Sequence, residues 1–427
     1  MKQFALILAI LSFADLYAGD LSLFDCYEKA ERMHPLQHER RNRQEIYELN
    51  RKNLNAKWLP SLSANANAVY MSNVVEFDQV LGSLPFPISP GTFSTMPKDQ
   101  YKITFDVHQT IYDGGAVGAA KKVELAVLQT DLQVLQTELY KIREKVNEVY
   151  FALLMLEKQA ELAAIFNNEI LQRRATLLSG VQNGVILSTN VDILDAELLN
   201  MEQHIFELAI QKDKVRQVLS DLIGEDTGES AFMLPAVHIP DESSIRRPEI
   251  ELFERQKCAL EMSKKMAISQ RMPKAVVYGT YGYGQPPGSD FFKNNFDTYY
   301  IVGAAVSWNF FNWNTTKRTR QALQAQQNII DAKEAYFAQQ VQIALKNIRA
   351  EIKRIKALLE SDEKLIALRE KIKKAAISKL NNGTISSTEF LAELNAERQA
   401  RINFEMHKIQ WVQAKVNYLT ISGQPVQ

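Results

Sequence analysis

The stretch that decides the fold runs from Leu125 to Ala163 and reads LAVLQTDLQVLQTELYKIREKVNEVYFALLMLEKQAELA. Its apolar residues recur in alternating steps of three and four, at Leu125, Leu128, Leu132, Leu135, Leu139, Ile142, Val146, Val149, Leu153, Leu156, Ala160 and Ala163. This heptad pattern predicts a helix that packs against other helices along its length. No proline lies between Pro97 and Pro235, so the helix can cover residues 116–182, which is about 100 Å. Such a helix suits a long dimeric coiled coil or a structure that must cross a distance.

The start of the chain has the features of a secretory signal peptide, which we assign to residues 1–18. Lys2 is followed by an apolar run over residues 4–13, and Ala18 precedes the predicted cleavage site. No later run reaches the ~18 apolar residues of a membrane-spanning helix, so the mature protein is predicted to be exported without one. Basic and acidic residues both number 50 among 427, and nucleic acid is therefore not an expected partner.

The chain contains an internal repeat, which has to be recognised before any fold is assigned. Its landmarks recur 213 residues apart for Pro35/Pro248 and Pro60/Pro273, and 199 residues apart for Asn183/Asn382 and Gly224/Gly423. We predict a first structural repeat over residues 19–224, a linker over 225–246 and a second repeat over 247–427. Each repeat is predicted to contain a helix, two strands, a long helix, an Asn-Gly turn and a returning helix.

Four segments that precede the long helices alternate between apolar and polar residues, as strands with one apolar face do. In the second segment Ile103, Phe105 and Val107 alternate with Thr104 and Asp106. The other three cover residues 62–70, 275–283 and 299–310. Strands of about ten residues with one apolar face are typical of transmembrane β-barrels. A soluble antiparallel sheet with one wet face is the alternative.

Four strands per chain are too few to close a barrel. A strand edge cannot stay unpaired in a bilayer, because no water is present to satisfy it. If the sheet lies in a membrane, several chains must therefore contribute strands to one barrel. Phe105, Val107, Val306 and Trp308 are expected to face lipid, and Thr104, Asp106 and Ser307 to face water.

The chain resembles the TolC-like outer-membrane factor (outer-membrane efflux protein) family over residues 21–423. The motifs that carry the resemblance are Trp58-Leu59-Pro60-Ser61-Leu62, Ile111-Tyr112-Asp113-Gly114-Gly115 with its counterpart Phe310-Phe311-Asn312-Trp313-Asn314, Arg247-Pro248-Glu249, and the tip motifs that begin at Gly184 and Gly383. Each motif is weak alone, but they occur in order, twice and at matched spacing.

The resemblance implies a mainly α protein with a small β part that forms a homotrimer in the cell outer membrane. Three chains would each give four strands to one shared 12-stranded transmembrane β-barrel in outer-membrane lipid. Their long helical hairpins would form an α-barrel across the periplasm. The resemblance further implies a passive exit duct of a tripartite efflux or type I secretion system, which docks on a periplasmic adaptor (membrane fusion) protein and an inner-membrane pump.

A periplasmic coiled-coil adaptor, or a structural protein of an envelope complex, is the alternative function. Adaptors carry a β-domain that interrupts one helical hairpin. In this chain both predicted hairpins are uninterrupted, and the strands precede the long helices. The order of elements therefore favours the export duct.

The candidate functional residues lie at the predicted hairpin tips. The turns themselves are Asn183-Gly184 and Asn382-Gly383, because Asn-Gly is turn chemistry. In the family an Asp-x-x-Asp pattern follows the turn. The first repeat keeps it, whereas the second has two glutamates one residue further apart.

These acids are Asp192 and Asp195 in the first repeat and Glu389 and Glu393 in the second. Carboxylates that ring a narrow opening attract cations, so we predict a periplasmic gate built from them. The alternatives are a solvated helix face and charges that complement a helix start. The basic residues nearby could also pair with them; these are Arg173, Arg174, Lys373, Lys374 and Lys379.

Nothing in the sequence predicts a catalytic centre, a cofactor or a metal site. His34 and His38 lie four residues apart, but Pro35 separates them and no ligand set accompanies them. The glycine-rich run over residues 279–284 leads into prolines, which favours a strand and loop over a phosphate-binding turn. Cys26 and Cys258 are predicted to lie too far apart for a disulfide.

Overall fold

The computed structural model of the chain describes residues 21–74, 96–228, 230–240, 244–290 and 293–425, and the predicted signal peptide lies outside these ranges. The elements of the first half are α1 (Leu23–Met33), α2 (Leu36–Ala56), β1 (Ser61–Tyr70), β2 (Asp99–Tyr112), α3 (Ala116–Gln182) and α4 (Thr189–Ile223). Those of the second half are α5 (Pro248–Ser269), β3 (Lys274–Gln285), β4 (Asp297–Ser307), α6 (Thr315–Asn381) and α7 (Ser387–Ser422). The order helix, two strands, long helix and returning helix occurs in both halves. The predicted bounds of the two repeats stay a prediction.

The chain divides into two compact units. The tip unit, as we name it, comprises Met1–Glu39, Val134–Ile250 and Ala335–Gln427, and contains both hairpin turns. The sheet unit comprises Arg40–Gln133 and Glu251–Glu334, and contains the four strands. Both long helices begin in the sheet unit and end in the tip unit.

The two long helices, α3 and α6, each contain 67 residues. The predicted bounds of α3 are confirmed, since it begins at Ala116 and ends at Gln182. Its heptad stripe is buried through the tip unit, at Leu135, Leu139, Val146, Val149 and Leu153. A continuous apolar stripe that finds partners along its length is what stabilises a helix of this size.

The tip unit has two hydrophobic clusters. One is centred on Tyr150, Phe151 and Tyr418, and the other, beside the turns, includes Phe166 and Phe390. The Tyr150 hydroxyl donates to the carbonyl oxygens of Leu21 at 3.0 Å and Met233 at 2.8 Å. This residue therefore fixes the segment before α1 and the inter-repeat linker to the middle of α3.

The four strands form one antiparallel sheet in the order β1-β2-β3-β4. The β2–β3 pairing joins the two halves of the chain, and β1 and β4 are the edge strands of the sheet. The prediction that the last strand continues to Phe310 is wrong, since β4 ends at Ser307. Its partner β3 begins at Lys274, which pairs with Ser307, so no strand residue remains opposite Trp308. Within the described residues, no helix has the length and apolar character needed to cross a membrane.

Candidate functional site

One face of the sheet is a continuous apolar surface that is exposed to solvent. Phe105 pairs with Ala64 and with Tyr281, and Tyr281 pairs with Tyr300, so this face crosses all four strands. The most exposed large side chains on it are Leu62 79%, Tyr300 79%, Val306 75%, Val302 73%, Tyr70 69% and Phe105 60%. The predicted sharing of one face by Phe105, Val107 and Val306 is confirmed. Their contact with lipid stays a prediction.

The opposite face is polar and is organised by Asp106. Its Oδ2 accepts hydrogen bonds from Asn65 Nδ2 at 2.8 Å and Thr104 Oγ1 at 2.9 Å. Its Oδ1 accepts one from Thr280 Oγ1 at 2.6 Å. A single carboxylate thus connects β1, β2 and β3 on the face that the sequence predicts to be wet.

Two tyrosines on the same polar face lie against glycines of the neighbouring strand. A Cβ on Gly303 would lie 2.6 Å from Tyr278 Cζ, and one on Gly282 would overlap the Tyr299 ring. From the sequence this part of the face looks small and only weakly polar. In the structure each glycine leaves room for a tyrosine ring, whose hydroxyl adds polarity to this face.

The hairpin turns have the backbone that Asn-Gly predicts. Gly184 has φ 72° and Gly383 has φ 69°, which favours glycine. The Gly184 N–H donates to the Val181 carbonyl at 3.0 Å, and the Gly383 N–H donates to the Leu380 carbonyl at 3.0 Å. Both long helices therefore end in the same left-handed glycine cap at Asn183-Gly184 and Asn382-Gly383.

Two of the four predicted gate residues form ion pairs within their own hairpins. Asp195 accepts from Arg174, with 3.1 Å between Nη2 and Oδ2, and Glu393 accepts from Arg369 at 3.2 Å. The hydrogen bond and charge of Arg174 hold the pKa of Asp195 below its ordinary value. Of the basic residues predicted as possible partners, Arg174 is the one that contacts these acids.

The other two acids differ from each other. Glu389 closes a capping box with Ser386, accepting from its backbone N–H at 2.8 Å and its hydroxyl at 3.0 Å. These hydrogen bonds lower the pKa of Glu389, and they match the helix-start alternative for this residue. Asp192 is exposed, and its carboxylate has no hydrogen-bond or ion-pair partner among the described residues.

Comparison with known proteins gives matches in structure alone: no protein-family profile and no curated protein match the chain. CusC, described in connection with transmembrane channel formation, is 13% identical with a TM-score of 0.70, covering 95% of this chain and 93% of that one. The outer-membrane protein VceC of Vibrio cholerae is 14% identical with a TM-score of 0.65, covering 95% of this chain and 97% of that one. The open state of the MtrE outer-membrane channel of Neisseria gonorrhoeae is 15% identical with a TM-score of 0.65, covering 97% and 93%.

The fold is that of the outer-membrane channels. The resemblance predicted from the sequence is therefore confirmed at the level of fold, over nearly the whole chain.

A charged cluster beside the tips was missed by the sequence reasoning. Glu397 is fully buried on α7, and it accepts from Arg401 and, at 3.2 Å, from Lys373 of α6. Lys373 also reaches Glu169 of α3 at 3.2 Å, and Arg401 reaches Glu370. The cluster thus connects the two hairpins. A pattern in the sequence could have revealed it, because Glu397 continues the buried three–four spacing of Phe390 and Leu394.

Proposed function

We propose that this chain is the outer-membrane exit duct of a tripartite efflux or type I secretion system. The observation that carries the proposal is the exposed apolar face of the sheet, on a chain with the fold of outer-membrane channels. An apolar surface of this extent needs lipid or protein to cover it. Residues along each strand alternate between this face and the polar face around Asp106, as in a barrel wall that separates lipid from a water-filled lumen.

We propose that the functional unit is a homotrimer. The edge strands β1 and β4 each have one neighbour in the sheet, and an unpaired edge is not tolerated in hydrocarbon. Pairing β4 of one copy with β1 of the next closes the sheet without any free edge. Three copies of a four-stranded sheet supply a 12-stranded barrel, and the family resemblance favours this number.

The long helices are proposed to form an α-barrel that continues the duct into the periplasm. Each contains 67 residues, and a helix of that size is about 100 Å long. The proposed partners are a periplasmic adaptor protein, which engages the helical part, and an inner-membrane pump. The chain itself is proposed to be a passive conduit with no enzymatic activity.

The periplasmic gate is proposed to depend on Asp192 more than on the other three acids. Asp195 and Glu393 are each paired with an arginine, and Glu389 caps the start of its own helix. Asp192 keeps an exposed carboxylate close to the turn at Asn183-Gly184. A cation that approaches this tip would therefore be attracted most strongly by Asp192, because no partner compensates its charge.

The test is to express the full chain and to fractionate the envelope. We expect the protein in the outer-membrane fraction, with three chains per particle by mass after detergent extraction. Reconstituted into planar bilayers, it should conduct ions without a nucleotide or a proton gradient. A monodisperse monomer recovered wholly from the soluble periplasmic fraction would contradict the proposal and favour the periplasmic adaptor or structural protein.

A further inference from the structure

A concave site of about 330 Å³ lies where α5 leads into β3 and where β4 leads into α6. Its apolar part is formed by Met272, Trp308 and Phe310, and its basic part by Arg271, Lys317 and Arg320. None of the residues that line it is acidic. A positive, partly apolar concavity of this kind fits a ligand with an anionic head and a hydrocarbon body.

The three cations of this site differ from several others in the sheet unit. Elsewhere in the sheet unit Lys257 pairs with Glu334 at 2.8 Å, and Arg43 pairs with Asp131 at 2.6 Å. Within the described parts of the chain, Arg271, Lys317 and Arg320 form no ion pair with a carboxylate. The positive charge of the site is therefore available to an anion from outside the chain.

The site is held in shape by two hydrogen bonds. The Trp308 indole Nε1 donates to the Arg271 carbonyl at 3.1 Å, and Arg271 Nη2 donates to the Phe310 carbonyl at 3.3 Å. A guanidinium has five N–H groups, so Arg271 keeps donors for a phosphate. The Trp308 and Phe310 rings meet edge to face, with centroids 6.0 Å apart.

Exposed aromatic residues continue from this site towards α6. Trp308 is 61% exposed, Phe310 71%, Phe311 58% and Trp313 76%. Four large aromatic side chains at the end of a strand are costly to leave in water. Tryptophan in particular is favoured where hydrocarbon meets lipid headgroups.

The equivalent junction of the first half has a matching hydrogen bond but different side chains. Gln109 Nε2 donates to the Trp58 carbonyl at 2.7 Å, which matches the Trp308–Arg271 hydrogen bond 199 and 213 residues later. Where the second half has Trp313 and Lys317, however, the first half has Gly114 and Gly118, although Lys121 matches Arg320. The fold therefore supplies the junction twice, and the side chains build a basic aromatic site in one of them.

We propose that this junction binds the phosphate headgroup of an anionic phospholipid at the periplasmic face of the membrane. The inference rests on the proposed function, because the start of β3 and the end of β4 reach that face of the membrane only if the sheet spans the outer membrane. Arg271, Lys317 and Arg320 contact the phosphate, and Trp308 and Phe310 contact the first part of the acyl chains. The site anchors each copy at a fixed depth.

The experiment measures lipid binding to the detergent-solubilised full-length protein by native mass spectrometry. The probes are phosphatidylglycerol and phosphatidylcholine with the same acyl chains. The test variant is R271Q/K317Q/R320Q. The control K57Q/K121Q/K122Q removes the same number of charges beside the junction of the first half. Circular dichroism checks that both variants keep the helical content of the parent.

We expect the parent to prefer phosphatidylglycerol, and the test variant to lose affinity for it by about tenfold or more, given the attraction of several basic residues to anionic lipid. Phosphatidylcholine binding should stay unchanged, and the control should behave as the parent. Equal phosphatidylglycerol binding by parent and test variant would overturn the inference, and so would an equal loss in the control.

Two further outcomes concern other occupants of the site. Complete displacement of phosphatidylglycerol by excess inorganic phosphate would mean that the site takes free phosphate, and the lipid assignment would be wrong. Dissociation of the test variant alone into monomers would mean that the site is a contact between copies, which also overturns it. A parent that is itself a soluble monomer would defeat the proposed function as well, whereas a trimer without lipid preference would defeat this inference alone.

Discussion

The two helical hairpins end in the same glycine-capped turn but stabilise the following helix in different ways. Ser386 caps α7 through reciprocal hydrogen bonds with Glu389. Ser188, which precedes α4, has helical backbone angles and makes no side-chain capping hydrogen bond. The first tip also exposes Val185 and Leu187, at 78% and 73%. A capping box contributes about 1 kcal/mol, so the start of α4 is expected to fray more readily than that of α7.

The same contrast continues about three turns further along the returning helices. Leu198 and Glu397 are 199 residues apart, and both are buried. Arg174 and Lys373 are also 199 residues apart, but Arg174 pairs with Asp195 and Lys373 with Glu169 and Glu397. The repeated architecture thus fixes where a side chain lies. Its chemistry is free to change between the halves.

The two halves each contribute two strands to the sheet, and breaking it should have the largest effect. Val107 and Val306 are 199 residues apart and lie on the apolar face. Val107→Arg should abolish recovery of the oligomer from the outer-membrane fraction, because arginine facing lipid costs about 2–4 kcal/mol per chain near the midplane. Thr104→Arg, on the polar face, is the control and should assemble. Equal recovery of Val107→Arg and Thr104→Arg would mean that the apolar face does not meet lipid.

The charged cluster is where the tips differ most, and removing its centre should have the next largest effect. Glu397→Ala leaves Lys373 and Arg401 partly unpaired in a buried site, so we expect a loss of about 3 kcal/mol of stability. The melting temperature of the helical signal measures it. Glu397→Leu, which installs the residue found at position 198, should cost less. Glu351→Ala removes an exposed pair with Arg354 and should change stability by less than about 0.5 kcal/mol. Equal effects of the two alanine variants would show that the buried cluster is not stabilising.

The acids of the two tips are expected to contribute unequally to ion selectivity. Asp192→Ala should lower the cation-over-anion permeability ratio of the reconstituted channel by about twofold or more, because its charge is exposed and unscreened. Asp195→Ala combined with Arg174→Ala removes a neutral pair and should have a smaller effect. Reversal potentials in a salt gradient measure the ratio. If Asp192→Ala together with Asp195→Ala conducts like the parent, and Glu389→Ala with Glu393→Ala does too, these acids do not form a gate.

The two cysteines give the smallest expected effect and a direct check on burial in each half. Both are free, as predicted; Cys26 is buried and Cys258 is exposed. Burial raises the pKa of the Cys26 thiol to about 12, so almost none of it is thiolate at pH 8. Maleimide should therefore label Cys258 alone in the native protein, and Cys258→Ser should abolish labelling. Labelling of native Cys258→Ser at the parent's rate would contradict the packing of α1.

The bounds of α3 and the two faces of the strands could be predicted from the sequence because they depend on local geometry. A helix repeats every 3.6 residues and a strand every two, so heptad spacing and simple alternation are visible in the chain itself. The turns at Asn183-Gly184 and Asn382-Gly383 were equally predictable, since glycine readily adopts a positive φ. The end of β4 was not, because it depends on where β3 begins.

The sequence alone therefore predicts the repeated order of elements, the length of the long helices and the apolar face of the sheet. The tertiary structure decided the partners: Arg174 for Asp195, Ser386 for Glu389, and Lys373 and Arg401 for the buried Glu397. It also decided that Tyr278 lies against Gly303 and that Trp308 holds Arg271. Periodicity is a property of one segment. A pairing depends on which other segment packs opposite, and only the folded chain determines that.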